Sequence, residues 1–172
     1  DFLIANSGSR RNLEVDFFGG EPTMNWQVVK DLVAYGRSQE EAHNKKFRFT
    51  LTTNGVLLND EIMEFANKEC ANVVMSVDGR KEVHDFMRPF RNGKGSYDLI
   101  MPKFKKFADS RNQTNYYVRG TFTHYNLDFA KDVLSLADMG FKQISIEPVV
   151  APPEADYAIR EEDIPMICEQ YD

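Results

Sequence analysis

Residues 12–22 read NLEVDFFGGEP. Over 12–18, Leu13, Val15 and Phe17 alternate with Glu14 and Asp16, the two-residue period of a strand with one apolar and one polar face. Two glycines, a carboxylate and a proline follow at once. Gly19 and Gly20 permit backbone angles closed to other residues, so main-chain groups there can approach a ligand closely, while Glu21 supplies a charge and Pro22 stiffens the turn. A bare turn would use the same four residues. The fold is decided by whether the pattern recurs.

It recurs four times, at 47–53 (FRFTLTT), 72–77 (NVVMSV), 115–123 (NYYVRGTFT) and 142–149 (KQISIEPV). Between these strands the spacing turns helical. A stripe of Trp26, Val29, Leu32 and Val33 runs through 25–42, and 59–68 opens on Asn59 or Asp60 as a cap. A helix over 97–110 has Ser96 as its candidate cap, and one over 126–139 ends at Gly140, where a left-handed residue belongs. Strands alternating with helices predict an α/β fold of about five parallel strands.

The strands do not read as the continuous apolar runs of a doubly covered parallel sheet. One face collects Glu14 and Asp16, Arg48, Thr50 and Thr52, Ser76 and Asp78, Arg119, Thr121 and Thr123, and Ser145 and Glu147; the other is apolar. An antiparallel sheet with a wet side would share this pattern but not the helical intervals. A partial (β/α) barrel fits, with helices on the outer face and a polar lumen inside.

Composition narrows the function classes. The 172 residues, 42% hydrophobic, suffice for one core and about one domain. No apolar run approaches the roughly 20 residues of a membrane span, and DFLIANSGSR lacks the build of a signal peptide; a cytoplasmic location and no membrane partner are expected. The net charge of −6 gathers in 154–172, where seven acids face Arg160 alone, leaving 20 acids and 20 bases in 1–153. No basic stripe invites nucleic acid, and the acidic tail reads as solvated. Cys70 and Cys168 match no ligand spacing and read as buried thiols, with no metal site.

In βα architectures ligands gather beyond the carboxyl ends of strands. There stand Gly19-Gly20-Glu21-Pro22, then Thr52-Thr53-Asn54-Gly55, then Ser76-Val77-Asp78-Gly79, and finally Glu147-Pro148-Val149. The second and third are also ordinary turn chemistry. Arg119 lies mid-strand on the polar face, where a buried guanidinium needs an anion: Glu14, Asp16 or Asp78 within the protein, or a ligand carboxylate. His84-Asp85 with Arg88 permits either an Asp85–Arg88 pair at helical spacing or a role toward substrate. His43 and His124 read as loop or surface residues.

In this order, DFFGGEPTMNW, FRFTLTTNGVLL, SVDGRKEVHDFMRP, NGKGSYD, YYVRGTFT and QISIEPVVAP resemble the radical S-adenosylmethionine (SAM) enzymes of the SPASM-type subgroup, above all the six-cysteine peptide (SCIFF) thioether maturases. The resemblance implies SAM as cofactor. It places the main chain of Gly19 and Gly20 with Glu21 at the methionyl amine, Ser76 and Arg119 at the methionyl carboxylate, and Val149 at the adenine. Thr52, Asn54 and Asp78 are implied for ribose or methionyl contacts, Pro22 and Glu147 complete the cofactor-binding set, and His84 and Arg88 fall to the substrate. No catalytic residue is assigned.

The family holds a 4Fe-4S cluster through C-x-x-x-C-x-x-C ahead of the GGEP strand, and thiolate ligation is indispensable to its redox chemistry. Residues 1–172 contain no such loop and no auxiliary-cluster cysteines. The expectation is a partial core domain, inactive by itself, with the cluster loop upstream and the auxiliary domain downstream. The parent enzyme would generate a 5'-deoxyadenosyl radical and join cysteine sulfur to a backbone carbon in a cysteine-rich precursor peptide. An anaerobic sulfatase maturase or another peptide-modifying enzyme of the superfamily, or a non-catalytic nucleotide- or peptide-binding module, are the rival readings. Exposed terminal strands would allow self-association.

Overall fold

A computed structural model describes residues 1–171; Asp172, the last acid of the tail, lies outside the described residues. The strands are β1 (Asn12–Phe17), β2 (Lys46–Thr53), β3 (Cys70–Ser76), β4 (Tyr116–Phe122) and β5 (Ile144–Pro148). They form one sheet in chain order, β1 to β5, with β1–β2 and β4–β5 in parallel register. The expected α/β class and sequential strand order of a (β/α) barrel segment are observed. The helices are α1 (Phe2–Asn6), α2 (Trp26–Gln39), α3 (Asp60–Glu69), α4 (Lys81–Met87), α5 (Tyr97–Ser110), α6 (Ala130–Asp138) and α7 (Ile164–Glu169). None of the described helices is long and apolar enough to cross a membrane. The chain forms two compact units, Asp1–Val74 and Met75 onward.

In the first unit the alternation works as read. Leu13, Phe17, Phe47, Phe49 and Leu51 are buried, and Phe49 stacks on both Phe17 and Phe47 at 5.8 Å between centroids. Helix α2 lays Val29, Val33 and Gly36 on this row. Gly36 is close enough that an added Cβ would meet Phe49 at 2.8 Å. Arg37 spans the same ring, its guanidinium 5.0 Å above Phe49 while donating to the Phe47 carbonyl and pairing with Glu40 and Glu69. Asn59 caps α3 by accepting from the Ile62 amide.

In the second unit the core rests on α5, which buries Tyr97, Ile100, Met101, Phe104, Phe107 and Ala108, and on Tyr116, Val118, Phe122, Phe129, Leu136 and Phe141. Phe122 and Phe129 stack at 4.1 Å. Gly140 ends α6 with φ 88°.

Several sequence expectations are corrected. Leu32 is half exposed, because the buried stripe of α2 continues to Gly36 instead. The helix expected from 126 begins at Ala130, after a 3-10 turn over His124–Asn126 that Thr123 caps. Ser96 makes no side-chain cap for α5; Asp85 takes that place by accepting from the Tyr97 amide at 2.8 Å. The acidic tail is structured: Asp163 is buried, accepts from His124 Nδ1 at 2.8 Å and from the Arg160 amide at 2.9 Å, and α7 follows. His124 is thus a partner and not a free loop residue. Cys70 is buried as expected, but Cys168 is exposed.

Candidate cofactor and substrate residues at the strand ends

In the first unit, β1 delivers the chain into two consecutive left-handed residues, Gly19 (φ 75°) and Gly20 (φ 60°). Space for a Cβ is open at both, so glycine is required by the sign of φ and not by crowding. Among the described residues their main-chain groups make no hydrogen bond. They are open to a ligand or to water.

Glu21 holds this loop in place. Its Oε1 accepts from the Thr23 amide (3.1 Å), Thr23 Oγ1 (2.6 Å) and Thr53 Oγ1 (2.8 Å), and its Oε2 accepts from the Asn54 amide (2.7 Å). Pro22 opens the 3-10 turn Pro22–Asn25, its fixed φ suiting the first helical position. The carboxylate therefore staples the loop after β1 to the end of β2. Thr53 accepts in turn from the Gly55 amide at 3.0 Å, Asn54 Oδ1 accepts from the Val56 amide at 3.0 Å, and Thr52 donates to Asp16 at 3.3 Å. Thr52 is buried and Asn54 exposed. Thr53 belongs to the strand-end segment named from the sequence but not to the implied cofactor contacts, because it continues the apolar row of Phe47, Phe49 and Leu51. A hydroxyl ending such a row just before Asn-Gly was the available signal.

In the second unit, Ser76 ends β3 half buried and Asp78 follows at 2% exposure. The Asp78 carboxylate receives Arg88 Nε at 2.6 Å and Nη2 at 3.0 Å, and the Thr121 amide at 3.0 Å. Arg88 thus pairs with Asp78, not with Asp85, whose carboxylate is spent on capping α5. His84, expected to meet substrate, is 1% exposed with both ring nitrogens engaged. Burial lowers its pKa below the ordinary histidine value, and the imidazole belongs to the interior.

Gly79 (φ 112°) has a second reason to be glycine: a Cβ there would lie 2.2 Å from that of Asp132. Asp132 is fully buried and receives the Arg80 amide (2.9 Å), Arg80 Nε (2.8 Å) and Asn126 Nδ2 (3.1 Å), while Asp128 takes the rest of the Arg80 guanidinium. Bonds to Asp132 first and Asp128 next hold the Arg80 pKa above the ordinary arginine value. This anchor between the loop after β3 and α6 had no local sequence signature, since its partners lie about fifty residues apart.

Arg119 is not the buried guanidinium expected. Its side chain is 44% exposed, and its partner is Glu147 at 3.4 Å from Nε, a residue on β5 that the alternation had placed on the same face. Ser145 also donates to Glu147, at 3.2 Å. A solvated pair of this kind holds loosely, so the guanidinium can turn to another anion. Val149 continues past β5, its amide donating to the Phe122 carbonyl at 2.9 Å. Beside α4, a hollow of about 230 Å³ is lined by Val83, Phe86, Met87, Tyr125, Asn126 and Glu82. Among the described residues no three His, Cys, Asp or Glu side chains gather to hold a metal ion.

Known proteins resemble this chain in sequence and fold. Residues 10–133 match the radical SAM superfamily. The radical SAM cyclopropyl synthase TigE of Paramaledivibacter caminithermalis is 25% identical over 159 residues, 83% of this chain and 32% of that one. A cysteine-type anaerobic sulfatase-maturating enzyme of Clostridium novyi is 30% identical over 98 residues, 56% of this chain and 26% of that one. This chain therefore spans about a third or less of these curated relatives. Among solved structures, anSMEcpe with bound AdoMet and Kp18Cys peptide superposes with a TM-score of 0.82 at 19% identity, over 94% of this chain and 46% of that one, a likeness of fold. The family match covers both the glycine loop after β1 and the Asp78–Arg88 cluster after β3, and it spans well over half of the sequence: the chain belongs to the radical SAM superfamily.

Proposed function

We propose that this chain is the SAM-binding part of a radical SAM enzyme that modifies a peptide, with thioether formation in a cysteine-rich precursor as the specific reaction. The observation that carries the reading is the loop after β1, where Glu21 spends its whole carboxylate on holding two left-handed glycines whose main-chain groups stay open. A preorganised backbone edge of this kind suits a charged amino acid head group, which needs directed donors and acceptors without a bulky side chain in the way. SAM therefore fits the residues present. Gly19 and Gly20 would meet the methionyl amine through main-chain atoms, with Glu21 and Pro22 shaping the loop and Thr52 and Asn54 bordering it. Ser76, Asp78, Arg119, Glu147 and Val149 complete the set of residues proposed for SAM. Arg119 would exchange its solvated bond to Glu147 for the methionyl carboxylate.

A 4Fe-4S cluster does not fit the described residues, because they hold two cysteines, Cys70 buried and Cys168 exposed, and no group of three side chains placed to hold a metal ion. Where the family holds such a cluster, it supplies the electron that cleaves SAM. What this chain's residues do is bind and orient the cofactor and keep its reacting end from water.

A relative named as a sulfatase-maturating enzyme supports the broader reading of peptide or protein modification, and one named as a cyclopropyl synthase keeps the kind of bond formed as a second question. Product mass separates the readings. Thioether formation removes two hydrogens from the peptide and consumes a thiol, cyclopropane formation removes two hydrogens and leaves thiols titratable, and sulfatase-type maturation removes sulfur. The full-length protein, reconstituted without oxygen and given SAM, a reductant and a cysteine-rich peptide, is expected to yield 5'-deoxyadenosine and a peptide two hydrogens lighter with one fewer free thiol. A peptide that loses sulfur sinks the thioether assignment, and absence of SAM binding by calorimetry sinks the whole reading.

A further inference from the structure

The His84-Asp85-Phe86-Met87-Arg88 stretch has no part in SAM binding as proposed above, yet its polar atoms close a ring. The Asp78 amide donates to His84 Nδ1 (3.3 Å), His84 Nε2 meets Ser96 Oγ (3.0 Å), Ser96 Oγ donates to the Arg88 carbonyl (2.7 Å), and the Arg88 guanidinium returns to the Asp78 carboxylate through Nε and Nη2. Three of the four residues are almost wholly buried, Asp78 at 2%, His84 at 1% and Ser96 at 5% exposure. Arg88 alone reaches solvent, its side chain 39% exposed.

Proton counting fixes the ring in one state. A main-chain N–H can only donate, so Nδ1 is the acceptor and Nε2 carries the proton. The Ser96 hydroxyl has one hydrogen, committed to the Arg88 carbonyl, so it must accept from Nε2, which again requires the Nε2–H tautomer. Both ends of the imidazole give the same answer, and a neutral ring agrees with the lowering of its pKa by burial. Ser96 does no capping for α5, because Asp85 accepts from the Tyr97 amide. The serine side chain is therefore free of the usual duty at a helix start.

We propose that His84 and Ser96 are positioning residues that hold Arg88 and Asp78 in one arrangement, so that the outer edge of the Arg88 guanidinium is presented to a neutral hydrogen-bond acceptor, a backbone carbonyl of the peptide substrate. The Asp78 carboxylate occupies Nε and Nη2, and Nη1 makes no hydrogen bond among the described residues. The pair has no net charge, so its open edge keeps directed donors without the pull of an uncompensated cation on an anion. A carbonyl is the acceptor that matches. The acceptor's identity rests on the peptide-modifying reading, whereas the ring is read from residues within one unit.

Nuclear magnetic resonance on the full-length protein, labelled at histidine and arginine, tests this without SAM or substrate, so its outcome is independent of whether the enzyme proves to be a peptide maturase. His84 is expected as the Nε2–H tautomer, and the Arg88 Nε–H as a slowly exchanging signal that Ser96→Ala speeds at least tenfold. Asp85→Ala, which removes the cap of the same helix, should lower the melting temperature and leave Arg88 exchange within twofold. Added N-methylacetamide, a bare peptide carbonyl, should shift the Arg88 side-chain signals more than equimolar sodium acetate does. An Nδ1–H tautomer, or Arg88 exchange unchanged by Ser96→Ala, overturns the positioning role, and a larger acetate shift overturns the neutral acceptor.

Discussion

Glu21 shows how one side chain can matter to a ligand site without touching the ligand. Its two oxygens serve four donors, and a glutamine could not: its amide NH2 would point a donor at one of the amides or hydroxyls now donating to Glu21. Each charge-assisted bond of this sort is worth roughly 1.5–3 kcal/mol, so Glu21→Gln should cost about 2–4 kcal/mol in urea unfolding. Thr53→Val removes one of the same donors, and the pair should be non-additive in a double-mutant cycle; additive losses would mean the two act separately. Gly79→Ala combines a strained φ with a clash against buried Asp132 and should cost about 3 kcal/mol or more. From the sequence, Gly19, Gly20 and Glu21 could be singled out because they are adjacent and follow a strand. The place of Thr53 at a strand end was legible but its bond to Glu21 was not, and Asp132 had no signal at all, since these partners are set by the folded sheet and the long crossover, not by neighbours in the chain.

The long elements were legible because their apolar periods run for two turns or more, whereas α4 has seven residues and no full repeat of its stripe. Its place follows from what it carries, the ring through His84 and Arg88. That ring makes a prediction at this scale. In the unfolded chain His84 titrates near 6.5, and in the fold desolvation holds its pKa lower. Below the unfolded value the unfolded state binds the extra proton first, so stability is full above about pH 6.5 and falls as the pH drops through the interval between the two values. The charges facing the ring are Asp78, Arg88 and Asp85; the carboxylates raise the pKa and the guanidinium lowers it, with burial outweighing the carboxylates. Chemical unfolding of the wild type and of His84→Phe across pH 5–8 should show the acid slope reduced in the variant. Equal slopes would show that His84 is not the group responsible.

Across the whole molecule, β1 and β5 end the strand order, and a strand at the end of a sheet presents unpaired main-chain groups. The two ends differ. The parallel register and the bond from the Val118 amide to the Gln143 carbonyl send the odd-numbered main-chain groups of β5 toward β4, which leaves Ile144, Ile146 and Pro148 on the outer row. Pro148 has no N–H, so that edge offers a short ladder and is blunted. On β1, the Lys46 amide bonds to the Arg11 carbonyl, so the register places Asn12, Glu14 and Asp16 on the outer row. This edge is longer but carries two acids, and two copies meeting there would bring like charges together. Residues 1–172 as a separate polypeptide should therefore associate weakly through β1, and more strongly as salt screens Glu14 and Asp16. Sedimentation velocity over a concentration series at low and high salt measures this. Glu14→Pro removes an outward N–H without taking a bond from β2, and should return the chain to monomer. A wild-type chain that stays monomeric at high concentration and high salt, or association that Glu14→Pro leaves untouched, would show that the β1 edge does not pair.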